Sequence, residues 1–365
     1  MKALTIGGAM VDTLAIIDDY LIERISMSNS GKTFLLLEQG SKTEASSIST
    51  HCGGGALNAA VSLARLGFTV STLVKVGRDQ RASLVRELLL AEGIETTSIA
   101  TAAEAPTGSS IIVSAHDRNA AVFTFRGANT LLTPADLDVA DFNVDLAYVS
   151  PLSGASSDML PHIISKARAC GAKIAVNPGV RQIATRFTSL CELLPSIDIL
   201  ALNRLEAETL VRQAVAELAG SENATLRRIV ASSLGTVSDI HAASRHTAAR
   251  ALISGLRDLG ANTVLLTDGK HGAYAGHAHE IVHCEALNVP VVSTVGAGDA
   301  FVSTFAGMLI RNDPYDDALI AAIVNSAAVV GDTNAQSGLL RLKALVKRTK
   351  DARTQIPILR WPSKE

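Results

Sequence analysis

Near the end of the chain, Gly296-Ala297-Gly298-Asp299 stands between the apolar run Val291-Val292-Ser293-Thr294-Val295 and an apolar segment that continues through Phe301 to Leu309. These residues read as a strand, a tight turn and a helix. Small residues at such a turn let the backbone approach a ligand closely. The first amides of the helix lack partners within it and, with the helix dipole, form an anion site. An aspartate there opposes an anion by its own charge. The opposition becomes useful if Asp299 accepts a proton while the amides of Gly296, Ala297 and Gly298 stabilise a phosphoryl group in transfer.

Two further stretches carry residue types suited to that chemistry. In Gly53-Gly54-Gly55-Ala56-Leu57-Asn58, paired glycines open a helix and let amides touch a hydroxylated ligand, while Asn58 can both donate and accept. In Asn203-Arg204-Leu205-Glu206, the i, i+3 spacing puts an amide and a carboxylate on one face of a first helical turn, a pair suited to hydrated Mg²⁺. The same spacing is a capping box, and both readings can hold together. Two other patterns are set aside. Ser30-Gly31-Lys32-Thr33 resembles the end of a phosphate-binding loop, but Ser26 stands where that pattern requires glycine. His277, His279 and His283 alternate as zinc ligands on a strand could, yet no fourth ligand is near in sequence, and a hairpin with exposed histidines accounts for them.

The elements that position these residues follow from periodicity. Leu4–Gly8 reads as a first strand, with Asp12 just beyond. Thr33–Leu37 and Glu44–Ser49 read as short strands, Ala56–Leu66 as a helix, and Ser109–Ser114 with Ala120–Phe125 as a hairpin turning at His116–Asn119. From Leu146 onward, strand and helix alternate, which implies a parallel sheet covered by helices. Ala219–Arg250 exceeds what a strand connection needs and predicts an extra helical excursion. The chain has 365 residues, 47% hydrophobic and 19% charged, enough for a large core with one small appended sheet. A formal charge of -2 and 4% aromatic residues argue against a nucleic-acid or anionic-membrane surface. No apolar run reaches the ~20 residues of a membrane span. Cys52, Cys170, Cys191 and Cys284 lie far apart, which fits a reduced, cytoplasmic protein.

The Gly-Ala-Gly-Asp stretch resembles the second signature of the ribokinase-like (PfkB) family of sugar and nucleoside kinases. Its usual form is Asp-Thr-x-Gly-Ala-Gly-Asp, and Ser293 stands where the first aspartate would be. The stretch from Gly53 to Asn58 is similar to the family's first signature, Gly-Gly-x-x-x-Asn. The resemblance implies a single domain over 1–365: a three-layer αβα sandwich with a mostly parallel sheet, and a small β-sheet lid from insertions at about 12–50 and 108–126. It implies ATP and Mg²⁺, and a K⁺ site weakened by Ser293. It implies that Asp299 is the base, that Asp12 accepts hydrogen bonds from two adjacent sugar hydroxyls, and that Gly53, Gly54, Asn58 and Asn129 of Gly127-Ala128-Asn129 contact the acceptor. Thr267, Gly269 and Gly272 would form the nucleotide loop, Asn203 and Glu206 the metal turn, and Asn325 the adenine-side helix. Arg181, after Asn177-Pro178-Gly179-Val180, would lie near the phosphates. Ribokinases carry lysine where this chain has Gly55, which would leave space. The acceptor is a sugar or a nucleoside, and apolar lid strands would pair two lids in a homodimer. The alternative is a binding or regulatory protein on the same scaffold.

Overall fold

Along the first strand the side chains alternate: Ala3 packs into one apolar layer, Leu4 and Ile6 into the other. Strand Leu146–Val149 repeats this, with Leu146 and Tyr148 on the first face and Ala147 and Val149 on the second. Strands apolar on both faces must be covered by helices on both faces, and that requirement sets the architecture.

The computed structural model describes residues 1–21, 23–27, 32–36, 40, 42–115, 120–219, 244–277 and 280–363. The strands are β1 (Lys2–Gly7), β2 (Met10–Ile17), β3 (Glu23–Met27), β4 (Lys32–Leu36), β5 (Ser47–Gly53), β6 (Thr69–Val76), β7 (Ile99–Thr101), β8 (Gly108–Ala115), β9 (Ala120–Phe125), β10 (Leu146–Val149), β11 (Lys173–Val176), β12 (Ile199–Asn203), β13 (Thr263–Thr267), β14 (Ala273–His277), β15 (Glu280–Cys284) and β16 (Ile358–Pro362). The α-helices are α1 (Gly55–Arg65), α2 (Gln80–Ala91), α3 (Pro134–Leu137), α4 (Leu160–Ala169), α5 (Val180–Thr185), α6 (Phe187–Leu193), α7 (Arg204–Ala219), α8 (Arg245–Asp258), α9 (Ala297–Ile310), α10 (Tyr315–Val330) and α11 (Leu342–Arg353).

Ten strands form the main sheet in the order β16-β15-β14-β13-β12-β11-β10-β1-β6-β7. It is parallel from β7 to β13 and antiparallel beyond. Helices α1, α9 and α10 cover one face, and α4, α7 and α8 cover the other. A separate four-stranded sheet, β5-β2-β8-β9, stands over the carboxyl ends of the central strands. It is built from the two insertions of short strands, with β2 and β8 parallel at its centre. β3 and β4 pair antiparallel in a two-stranded sheet of their own.

Several sequence expectations shift here. The second lid strand is Ser47–Gly53 rather than Glu44–Ser49. The run Val291–Val295 is not a strand. Its amides at Val292 and Ser293 both point to the carbonyl of Val330, and its valines stay 38–44% exposed. The turn at His116–Asn119 and nearly all of the excursion over 219–250 lie outside the described residues, apart from the start of α8. His283 is not exposed but 2% accessible, and its Nε2–H donates to the His271 carbonyl at 2.9 Å. His277 stacks on Tyr315.

One side chain ties three segments of the first face together. Arg65, in the last turn of α1, grips Glu92 after α2 through Nε and Nη2 at 3.2 and 2.5 Å, and Nη1 donates to the carbonyls of Gln336 and Leu339. Arg65 holds the Glu92 carboxyl below the usual glutamate range. We expect Arg65→Met to cost about 2 kcal/mol by unbonding a largely buried carboxylate and two carbonyls. The sign in pH follows from the depressed folded value: the contribution is full above the ordinary glutamate range and is lost as pH falls through the folded value. Chemical denaturation at pH 7 and pH 3 checks this, and a difference between the two proteins that is as large at pH 3 as at pH 7 would refute it.

Candidate active site

The carboxyl ends of β1, β10, β11 and β12 open onto one cavity of about 950 Å³, lined among others by Gly54, Gly55, Asn129, Arg181, Glu206 and Asp299. Clefts outside the carboxyl ends of parallel strands are where ligands bind in such sheets. Asp299 enters it from the first turn of α9. Gly296 caps that helix in the left-handed region at φ 80, and a side chain there would strike Ala335. A side chain on Gly298 would meet nothing within 4 Å, so the space above the amides is open.

Asp299 does not cap its own helix. Its Oδ2 accepts a hydrogen bond from Asn58 Nδ2 at 2.8 Å, and Asn58 Oδ1 accepts one from Gln336 Nε2 at 3.0 Å. The two signature stretches therefore meet through side chains 241 residues apart. Burial raises the Asp299 pKa, and the Asn58 bond pulls it partly back. The sequence suggests a carboxylate held charged by a helix terminus, but in the structure desolvation dominates. Tyr148 lies fully buried below, its hydroxyl unpartnered among the described residues and its pKa raised by burial and by the field of Asp299. Gly55 does not leave room as expected. A Cβ there would sit 2.6 Å from Ser150 Cβ and 3.1 Å from Asp299 Oδ1.

Asn203 and Glu206 form the reciprocal cap at the start of α7. The Asn203 amide donates to Glu206 Oε2, and the Glu206 amide donates to Asn203 Oδ1, both at 2.9 Å. Burial raises the Glu206 pKa against hydrogen bonds from Asn203 and Asn177. Its carboxylate still faces the cavity. β12 and β13 end in register, with Asn203 opposite Thr267, so the loop with Gly269 and Gly272 stands beside this turn.

Two residues expected at the ligand are hydrogen-bonded within the protein. Asn129 accepts from the Ala9 amide and donates to the Ala9 carbonyl, at 2.9 and 2.8 Å. It fixes the turn from β1 to β2 at the cavity wall. Asn325 is fully buried, donating to Thr304 and accepting from the Leu340 amide, so its amide group has no face toward a nucleotide. Asp12 lies at a second, smaller cavity rather than with Asp299. Ser110 donates to its Oδ1 at 2.5 Å, and burial raises its pKa while Ser110 and His51 lower it. No local pattern in the sequence marks Gln336, Ser110 or Tyr148.

A model of the pfkB family of carbohydrate kinases matches residues 12–341. The chain belongs to this family. Among curated relatives, the deoxyribokinase of Salmonella typhi is 26% identical over 328 residues, covering 89% of this chain and 94% of that one. The ribokinase of Staphylococcus aureus is 28% identical, covering 79% and 84%. The solved structure of Arabidopsis thaliana ribokinase complexed with ribose and ATP superposes with a TM-score of 0.70 at 19% identity, covering 96% and 98%. The fold is thus ribokinase-like and the chemistry phosphotransfer to an alcohol.

The partly desolvated Asp299 carboxyl carries a stability cost with a definite sign. A folded pKa raised above the unfolded one removes stability as pH rises from the unfolded value through the folded one. We therefore expect Asp299→Asn to melt higher than the parent protein at pH 8 and by a smaller margin at pH 4. Thermal unfolding across that range checks it, and a variant less stable at pH 8 would contradict the burial argument.

Proposed function

We propose that the protein transfers the γ-phosphoryl group of ATP to a hydroxymethyl group of a sugar or sugar-containing acceptor, with Asp299 taking the hydroxyl proton. The observation that carries this reading is a desolvated carboxylate, aimed by Asn58, beside helix amides that open onto free space. In a loose transition state the proton leaves late, so a carboxylate suffices as acceptor. A raised pKa makes it a stronger one once ionised. The amides of Gly296, Ala297 and Gly298 would face the moving phosphoryl group, that of Ala297 while also reaching the Thr294 carbonyl at 3.4 Å. The nucleotide would lie along Thr267–Gly272, a loop that stands beside Asn203 because β12 and β13 end in register.

Glu206 fits a water-mediated Mg²⁺ contact: it is a half-buried carboxylate on the cavity wall, already oriented by two asparagines. Bound there, Mg²⁺ would neutralise charge on the polyphosphate. Ser293 gives the neighbouring loop a hydroxyl in place of a carboxylate, and that oxygen already accepts from the Val295 amide at 3.2 Å. A monovalent-cation site there would be weak. The outer lid face, with Ile48, Ile111, Phe123 and Phe125 all more than half exposed, supports pairing of two lids in a homodimer. Four unpaired cysteines and the absence, among the described residues, of a helix able to cross a membrane support a cytoplasmic setting.

Asp299→Asn keeps shape and removes the acceptor. We expect turnover to fall at least ~10²-fold with ATP affinity little changed, measured by steady-state kinetics on a panel of sugars and nucleosides and by calorimetry. Near-parental turnover would remove Asp299 from the mechanism. ATP binding with no turnover by the parent on any acceptor would favour a regulatory protein.

The cation reading is tested by titration. Glu206→Gln is expected to raise the Mg²⁺ concentration for half-maximal rate several-fold while leaving acceptor affinity unchanged. In the parent, K⁺ at constant ionic strength is expected to stimulate weakly, and more in Ser293→Asp. Unaltered Mg²⁺ dependence would reduce Glu206 to a helix cap, and strong K⁺ activation of the parent would show that the loop needs no carboxylate.

A further inference from the structure

The hydrogen bond that Asp299 receives depends on which way one amide points. Asn58, in the first turn of α1, is 4% accessible. A side-chain amide has nearly the same shape in two orientations, one presenting N–H groups and the other a carbonyl oxygen. Facing Asp299, the first stabilises an ionised carboxylate and the second repels it. Nothing in Asn58 itself selects between them. The selection comes from its far side, where Gln336, 7% accessible, donates Nε2–H to Asn58 Oδ1 at 3.0 Å. A donor met there holds the carbonyl, so the Nδ2–H turns to Asp299 Oδ2, which it reaches at 2.8 Å. Gln336 is placed in turn by its backbone. Its N–H donates to Asn334 Oδ1 at 3.0 Å, and its carbonyl accepts from Arg65 Nη1 at 2.8 Å. The neighbouring Ala335 lies against Gly296, so the segment that sets the amide also abuts the cap of the helix carrying Asp299.

We propose that Gln336 is a positioning residue for phosphoryl transfer, acting through Asn58 by fixing the amide so that its N–H, not its carbonyl, meets Asp299. The inference rests on the reading of Asp299 as proton acceptor and names what prepares it. The other charged and titratable groups nearby do not duplicate this bond. Arg126, Arg181, Arg186 and Glu206 line the same cavity. Among the described residues none of them bonds Asp299, whose one side-chain partner is Asn58. Tyr148 of β10 stays neutral, because burial and the field of Asp299 both oppose its ionisation. The orientation of one amide therefore decides how readily this carboxyl ionises, and Gln336 decides the orientation.

Gln336→Glu keeps the shape and replaces the donor by an acceptor. The Asn58 Nδ2–H then turns to the new carboxylate and its carbonyl to Asp299, which makes Asp299 harder to ionise. The acid limb of the pH profile of kcat/KM is expected to move up by about one unit, a rate about ten-fold lower at pH values below it, with ATP affinity unchanged. The new carboxylate also acts by its own charge, and Asn58→Leu separates the two effects. In that background no amide turns, and Gln336→Glu is expected to move the limb by less than half as much. Gln336→Met removes the donor without adding charge and is expected to lower kcat several-fold, again with ATP affinity unchanged. Carbon NMR of the Asp299 carboxyl, assigned by its absence in Asp299→Asn, reads the same shifts in every variant without turnover. Equal shifts with and without Asn58 overturn the inference, as does an unshifted carboxyl in Gln336→Glu or parental kcat in Gln336→Met. A shift that depends on Asn58, together with undiminished turnover by Asp299→Asn, would leave the amide orientation standing and remove the transfer reading.

Discussion

A carboxylate set in the wall of a cavity, with no cation beside it among the described residues, is costly to keep ionised, and much of this structure can be understood as what holds Asp299 in that condition. Among the described residues, its one side-chain hydrogen bond comes from an amide, not from a lysine or arginine. An amide partner orients the carboxylate while neutralising none of its charge, so the proton affinity stays high. Asn58 can serve only because it is itself fixed by Gln336 and by its place in the first turn of α1. Arg65, about two helix turns further on, then holds the Gln336 and Leu339 carbonyls. Asp299 is thus braced through α1 to the segment after α10, and looseness in either would blur its position by the fraction of an ångström that a proton transfer there would notice.

The Gly53–Gly55 turn divides the functional surface in two. On one side lie Asp299, Glu206 and the open space over the helix amides, and on the other lie Asp12 and the second, smaller cavity. A side chain at Gly53 would collide with Asp12, and one at Gly55 with Ser150 and Asp299. The turn is therefore narrow because both carboxylates crowd it, which keeps them within the span of one small ring. On the function proposed above, the lid would supply the acceptor side and the main sheet the phosphoryl side. Movement of the lid would change the distance between recognition and chemistry without disturbing either.

Much of this was legible in the sequence because the informative residues are local. Gly296 to Asp299 and Gly53 to Asn58 each occupy one turn, and the chemistry of a turn can be read from consecutive residue types. The strand and helix alternation after Leu146 reports a covered parallel sheet directly. What was not legible depends on residues far apart. Gln336 meets Asn58 across 278 positions, and Ser110 meets Asp12 across 98. No spacing rule reaches that far. Asn129 and Asn325 have the polarity that a ligand contact needs, but a polar side chain at a buried position is claimed first by unpaired backbone groups nearby, here those of Ala9 and Leu340. The raised proton affinity of Asp299 follows from burial, which the helix-terminus pattern does not contain.

The run Val291–Val295 shows how a local pattern can be right about composition and wrong about structure. Three valines in five residues read as a buried strand. A strand needs a neighbour with free backbone groups, and β13, β14, β15 and β16 already pair in succession at that end of the sheet. The run hangs instead from the single carbonyl of Val330. Its apolar side chains then have no core to enter. A solvent-facing apolar loop normally disfavours the folded state by leaving hydrophobic area in water. Two residues before the helix that carries Asp299, that cost is offset if a ligand covers the loop whenever the site is in use.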